Sequence, residues 1–540
     1  MPEGSAELAA LAEEFYSVWF RCRPDVALAA GITGYEGLLP VQDEDDLSAL
    51  AGWLETLVLA LEDIDLASLR PQDRLDWLLM HTGARFEHDE LRRGDRLLRD
   101  PSAVLPVGEI YRLTLAAPQR IRERLGCLLA EVPEYLRHAQ GHLRAAAADL
   151  PPVLVRAAAR EADGGRCYIR ELVGDSWLRR QVEDLSDLES RAVAACDALT
   201  DYRAFMLSGL LPEAAGALGC GTDQLGARLA GVHFLDCDPS SLGPVLEAAE
   251  ADNESALGEL ARTAAEPVRT LLEHAAREVS GGDAWVKAHA ELCDAVAGEL
   301  VGAGLVDLPA ADLHLGLRPA CPQPQGFRAD YIPDGATSGT LFLTASGGAR
   351  ASGEPVESIR ERCLDQGWGG SHLLAFGAPD CSRRLPRLAA DACSLTTGWG
   401  LYLGHRLARA CAAPLERQAW TLARRRREIR VARLDLAIHC EGLDEAGAMA
   451  RLGDAGLGEA AETVLVRLVS RPGEALAGVL GWLLIEEARR LAEAGAGRGF
   501  DQRGFHHKVL AQGGIPMSLA LCFGLGEPLW RAVRERVLPA

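Results

Sequence analysis

Apolar residues recur at helical spacing along nearly all of this 540-residue chain, which leaves little room for a β fold. Residues 8–21, 26–30, 45–62, 71–93 and 108–148 read as amphipathic helices, several with acidic starts or basic ends as the helix dipole favours. Interruptions are expected near Pro118 and Pro133. The period continues through 153–162, 168–173, 184–211 and 238–279, with turns expected at Gly164-Gly165, Leu211-Pro212 and Gly281-Gly282. Between residues 304 and 353, Pro309, Pro319, Pro322, Pro324 and Pro333 break helices, and residues 339–344 alternate weakly with β-branched side chains. The expectation is an all-α fold with one short strand or hairpin near residues 338–345. No internal repeat, low-complexity tract or long heptad run is present.

A formal charge of −22 argues against a surface built for nucleic acid or anionic membrane, since both are polyanions. The fourteen cysteines stand singly, with no Cys-x-x-Cys, and read as reduced core thiols. The first fifteen residues are acidic and lack the basic start and apolar stretch of a signal peptide. The longest apolar run, 475–485, is far short of the roughly 20 residues needed to cross a bilayer. These features lead us to expect a soluble, cytoplasmic protein with no nucleic-acid or membrane partner. Its length suits one large helical body: a shell over residues 1–300 and a chemistry-bearing half over 301–540.

The most unusual polar and aromatic residues fall in two helical segments, 359–376 and 389–408. The first reads Cys363-Leu364-Asp365-Gln366-Gly367-Trp368-Gly369-Gly370-Ser371-His372-Leu373, the second Thr396-Thr397-Gly398-Trp399-Gly400-Leu401-Tyr402. They resemble the two motifs of the family called domain of unknown function 885, itself similar to the gluzincin zinc peptidases. Those motifs are His-Glu-x-x-Pro-Gly-His-His and Glu-Gly-Trp-Ala-Leu-Tyr. The resemblance puts Asp365 at the first His, Gln366 at the catalytic Glu, Ser371 at the first of the paired His, and Thr397 at the second motif's Glu. Gly370, His372, Gly398, Trp399, Leu401 and Tyr402 keep the pattern.

The likeness extends to residues 15–40, to a Tyr-x-Pro turn at Tyr331 and Pro333, and to an Asp-x-x-x-His at Asp435 and His439 within the helix 417–440. It covers the ending at 500–507 and 514–516, with Arg503 and His506 retained. Where the family reads Pro-Gly-Gln-Ala-Leu-x-Tyr-Lys, Gly478 and Val479 replace its Tyr and Lys. The resemblance implies a gluzincin-like, two-lobed helical body with a hairpin or edge strand beside the site helix. It does not carry peptidase activity over.

The chemistry of the replacements stands without the family. A catalytic zinc site needs three N, O or S ligands, an open position and a base for the bound water. Gln366 has no titratable proton, and neither Ser371 nor Thr397 is a usual zinc ligand. Asp365 and His372 lie roughly 10 Å apart along a straight helix, and converge only if Gly367, Gly369 and Gly370 break it. No metal and no cofactor are therefore expected.

The candidate acid–base residues are Asp365, His372 and the i,i+4 pair Asp435 and His439. Tyr331, Trp368, Trp399 and Tyr402 are expected to wall a pocket for a small-molecule or peptide-like ligand. Gln366, Ser371, Thr397, Arg503 and His506 are further candidate binding residues. A buried Asp365 without a metal should have a raised pKa unless a histidine or an arginine compensates.

The favoured expectation is a metal-independent enzyme acting on an amino-acid-derived metabolite in a biosynthetic pathway. The alternatives are a non-catalytic binding or scaffold protein, and a metallohydrolase drawing on Asp365, His372, His405, His439 and Cys440. A serine nucleophile elbow, a phosphate-cradling loop and a dinucleotide fingerprint are absent.

Overall fold

The computed structural model describes residues 3–93, 100–116, 121–174, 186–318, 331–344, 353–378, 381 and 383–539. The fold is mostly helical with a few short strands, as the period requires. The chain forms two compact units: Met1–Leu218 with Arg318–Ile332 and Glu462–Ser470, and Gly219–Leu317 with Pro333–Ala461 and Arg471–Ala540.

In the first unit, Leu54, Leu75, Leu125, Leu129, Val132 and Ile169 are fully buried along helices that include Ile121–Ala145 and Pro152–Gly174. Pro133 lies inside the former, and Gly165, read as a turn, lies inside the latter. Gly165 serves close packing instead, because a Cβ there would overlap the Val107 side chain.

In the second unit the expected strand is Ser338–Thr344. It is the central strand of a three-stranded sheet, flanked by Asp312–Arg318 and Tyr331–Asp334. A second antiparallel pair joins Glu278–Val279 to Glu354–Pro355. The helical stretch before it is shorter than its period suggested: Gly243–Ala264 ends ahead of Pro267, and Val268–Ala275 follows.

Three helices form the heart of this unit: Cys393–Ala410, Leu415–Cys440 and Glu474–Ala496. The third is buried on nearly every side over Glu474–Ile485, so its apolar run serves the interior. The first meets it almost backbone to backbone. A Cβ at Gly398 would stand 2.6 Å from the Gly481 carbonyl carbon and the Trp482 nitrogen. Likewise, one at Gly478 would stand 2.7 Å from Thr397 Cγ2. Among the described residues, no single helix is long and apolar enough to cross a membrane.

Candidate functional site

The glycines of the first motif do break its helix. Val356–Arg362 runs into a π-helical turn, Cys363–Trp368, in which Gly367 takes φ −93° and ψ −129°. A new helix, Ser371–Phe376, then begins. The break sits against Leu313 of the Asp312–Arg318 strand, so the strand beside the site is this edge strand rather than Ser338–Thr344.

Breaking the helix separates its two candidate ligands. Asp365 Oδ2 accepts a hydrogen bond from Arg424 of the Leu415–Cys440 helix at 2.5 Å. This guanidinium supplies the counter-charge that a buried carboxylate needs. His372 is buried and points elsewhere, its Nε2–H donating to the Ala311 carbonyl at 3.0 Å. Burial lowers its pKa, so it sits neutral there.

Gly400 makes room for the Asp365–Arg424 pair. A Cβ there would stand 2.8 Å from Asp365 Oδ1 and 3.4 Å from the arginine. Asp365 Oδ1 and Gln366 Oε1 are buried without a hydrogen-bond partner among the described residues.

Two of the four aromatic candidates, Trp399 and Tyr402, are core residues. Trp399 is buried and its indole N–H donates to the Gly369 carbonyl at 2.6 Å, tying the two motifs together. Tyr402 and His506 are fully buried, 2.8 Å apart. His506 Nδ1 lies 2.8 Å from the Leu305 carbonyl, which only accepts. His506 therefore carries its proton on Nδ1, and the Tyr402 hydroxyl donates to Nε2. Burial pushes the His506 pKa down to about 4, in keeping with a neutral ring. Trp368 is half-buried with its ring edge-on to His372, and Ser371 is half-buried at the start of its helix. Arg503 is half-exposed, bonded to Asp307 at 3.3 Å. Tyr331 lies on the other edge strand, and burial raises its pKa.

Asp435 and His439 meet each other, 3.4 Å apart and both buried, but not Asp365's surroundings. The Asp435 carboxylate accepts the backbone N–H groups of Gly473 and Leu476, each at 3.1 Å, and so caps the Glu474–Ala496 helix. His439 Nδ1 accepts the Cys220 N–H at 3.1 Å, leaving its proton on Nε2 toward Asp435.

The sequence reading missed Glu361 and Arg424. Glu361 stands one helical turn before Asp365, so its i,i+4 spacing was the available signal; Arg424 had none. Burial pushes the Glu361 carboxyl up to about 7, against the pull of Arg424. It lines a cavity of about 30 Å³, enough for a buried water, with Arg424, Gly400 and Trp420. The other side of that cavity is an ion-pair network. Arg360 binds Glu299 through both carboxylate oxygens at 2.8 and 2.9 Å, and Arg417 binds Glu357 at 3.1 Å.

These residues do not fit a zinc ion. A guanidinium occupies one face of Asp365, His372 is turned to a carbonyl, and the remaining family positions hold an amide and two hydroxyls. His405 and Cys440 add nothing: among the described residues, no group of three His, Cys, Asp or Glu could hold a metal ion.

Fold and site together define a mostly helical protein whose two-motif centre holds a largely buried aspartate–arginine ion pair. The chain belongs to the DUF885 family, bacterial proteins of unknown function, whose pattern matches residues 24–520. Two solved structures share the fold. A putative lipoprotein of unknown function from Shewanella oneidensis superposes with a TM-score of 0.70 at 16% identity, covering 96% of this chain and 99% of that one. The putative lipoprotein from Colwellia psychrerythraea gives 0.75 at 16% identity, covering 99% and 100%. None of the curated proteins matches the chain.

These two structures correct the cytoplasmic placement expected from the sequence, because lipoproteins are held at membranes by a lipid. The physical reason is that a lipid anchor needs no spanning helix, so the length of the longest apolar run never tested it.

Proposed function

We propose that this chain is a non-catalytic relative on a peptidase-type helical scaffold, working by binding a small-molecule or peptide-like ligand. The observation that carries this reading is the Asp365–Arg424 pair: a protein cation stands where the family's first ligand would meet its metal. The packing agrees with it. Thr397, which the resemblance puts at the family's glutamate, packs against Gly478, which it puts at a tyrosine, and a Cβ at Gly478 would stand 2.7 Å from Thr397 Cγ2. Elemental analysis of protein purified without chelator tests the reading. Well under one zinc per chain is expected, with no peptidase activity restored by added zinc. Near one zinc per chain, lost together with a hydrolytic activity on chelation, would overturn it.

A second reading is favoured by Glu361, whose carboxyl titrates at about 7 one turn from Asp365. On it, the chain is a metal-independent enzyme, and Glu361 with Asp365 handles protons on an amino-acid-derived metabolite. Asp365→Asn separates the two readings in an assay chosen from the reactions encoded by neighbouring genes. A loss of about a hundredfold with unchanged melting supports catalysis; no measurable turnover by the unmodified protein supports the first reading.

A further inference from the structure

We propose that the outward side of the Leu415–Cys440 helix binds a small organic anion with an apolar body. This inference is independent of the reading given to the two-motif centre. Two adjoining grooves open there, of about 630 and 290 Å³, and both are lined by Leu272, Trp420 and Arg426. Sites for small organic ligands have this scale. The first groove adds the apolar side chains of Val268 and Ala276. The second is lined by Arg424, Arg426, Arg427 and Arg430 beside Asp454, and these arginines also meet Asp365, Glu254, Glu428 and Glu250.

The hydrogen-bonding state of these arginines points to a ligand. Arg424 is committed to Asp365 at 2.5 Å, and Arg430 to Glu250 at 2.8 Å. Among the described residues, Arg426 reaches Glu254 only through Nη1 at 3.6 Å, and Arg427 reaches its neighbour Glu428 only through Nε at 3.5 Å. Each therefore keeps guanidinium N–H groups for a further acceptor. A guanidinium fork matches the paired oxygens of a carboxylate or phosphate, which fixes the head group. Leu272, Val268 and the face of Trp420 next to these forks suit the body of the ligand, an aryl or short alkyl group.

Calorimetric titration at constant ionic strength tests this, with phenyl phosphate and phenylacetate as probes and inorganic phosphate and phenol as controls. Saturable binding of at least one organic anion is expected, at least about tenfold tighter than inorganic phosphate, with no binding of phenol. The two organic probes separate a phosphate head from a carboxylate head. The double variant Arg426→Gln/Arg427→Gln, shown to melt like the parent, should lose about tenfold or more in affinity. Leu272→Ala should weaken phenyl phosphate and leave inorganic phosphate unchanged. No saturable binding of either organic anion at low millimolar concentration, or binding unaltered in the arginine variant, overturns the proposal. Inorganic phosphate binding as tightly as the organic anions overturns its apolar half.

Discussion

Four consecutive arginines divide this molecule's chemistry between two regions. Arg424 and Arg425 have side chains 14% and 7% exposed, whereas Arg426 and Arg427 are 27% and 41% exposed. The inner pair is closely bound. Arg424 neutralises Asp365, while Arg425 donates to the Leu401 carbonyl at 3.0 Å and lies 4.6 Å over the Trp482 ring. The outer pair holds its carboxylates at 3.5 Å or more. Residue type is the same throughout, so what each side chain packs against decides whether its guanidinium is closely bound or keeps donors toward solvent.

Removing Arg424 should have the largest effect. Arg424→Met leaves the Asp365 carboxylate largely buried and uncompensated, and should cost about 3 kcal/mol in urea unfolding. Adding Asp365→Leu should recover most of the loss, because replacing both charges removes the desolvation penalty. A cost no greater than that of Arg427→Met would erase the distinction.

Glu361→Gln comes next and sharpens the inner region through pH. The folded Glu361 pKa, about 7, lies above its ordinary value of 4.5. The native state thus binds the proton more tightly, and this group's contribution to stability falls as pH rises from about 4.5 through 7. At pH 8 the glutamine variant should be more stable by about 2 kcal/mol, a figure reduced for the water-facing fifth of the side chain. At pH 4 the two proteins should melt alike. His506, pushed down to about 4, contributes the opposite slope in both proteins and cancels in the difference.

A smaller loss, about 1 kcal/mol, is expected for Gly400→Ala, since the new methyl crowds Asp365 Oδ1. In an Asp365→Ala background the same change should be nearly silent. The glycine and the aspartate are therefore expected to be energetically coupled. Non-additivity in the cycle of these two variants measures it.

How much of this was readable depends on whether the partners are close in sequence. The Ser338–Thr344 strand was legible because alternation and flanking turn residues are local. The break at Gly367 was legible as a possibility from three glycines in four residues. Burial of Arg425 was also readable, since it falls three residues after buried Leu422 and four before buried Ile429. Arg424 lies 59 residues from Asp365, and His506 lies 104 from Tyr402, so no local pattern announces either pair. Nor does a sequence distinguish a tryptophan lining a pocket from one buried with its N–H satisfied, as Trp399 is by Gly369. The departures of Asp365, Gln366, Ser371 and Thr397 from the resembled motifs were legible residue by residue; the Asp365–Arg424 pair was not.

The smallest effect is expected on the outer side. Arg427 is 41% exposed and its ion pair is with its sequence neighbour, so Arg427→Ala should change unfolding free energy by less than about 0.5 kcal/mol. The same change should weaken binding of an organic anion several-fold, because it removes one of the two arginines with donors to spare. Stability and binding thus respond oppositely in the two regions: Arg424→Met should unfold the protein more easily, whereas Arg427→Ala should leave folding intact and weaken ligand binding. Chemical unfolding of Arg427→Ala beside titration with phenyl phosphate checks both halves on one sample. A stability loss like that of Arg424→Met would place Arg427 in the structural ion-pair network and dissolve the contrast between neighbouring arginines.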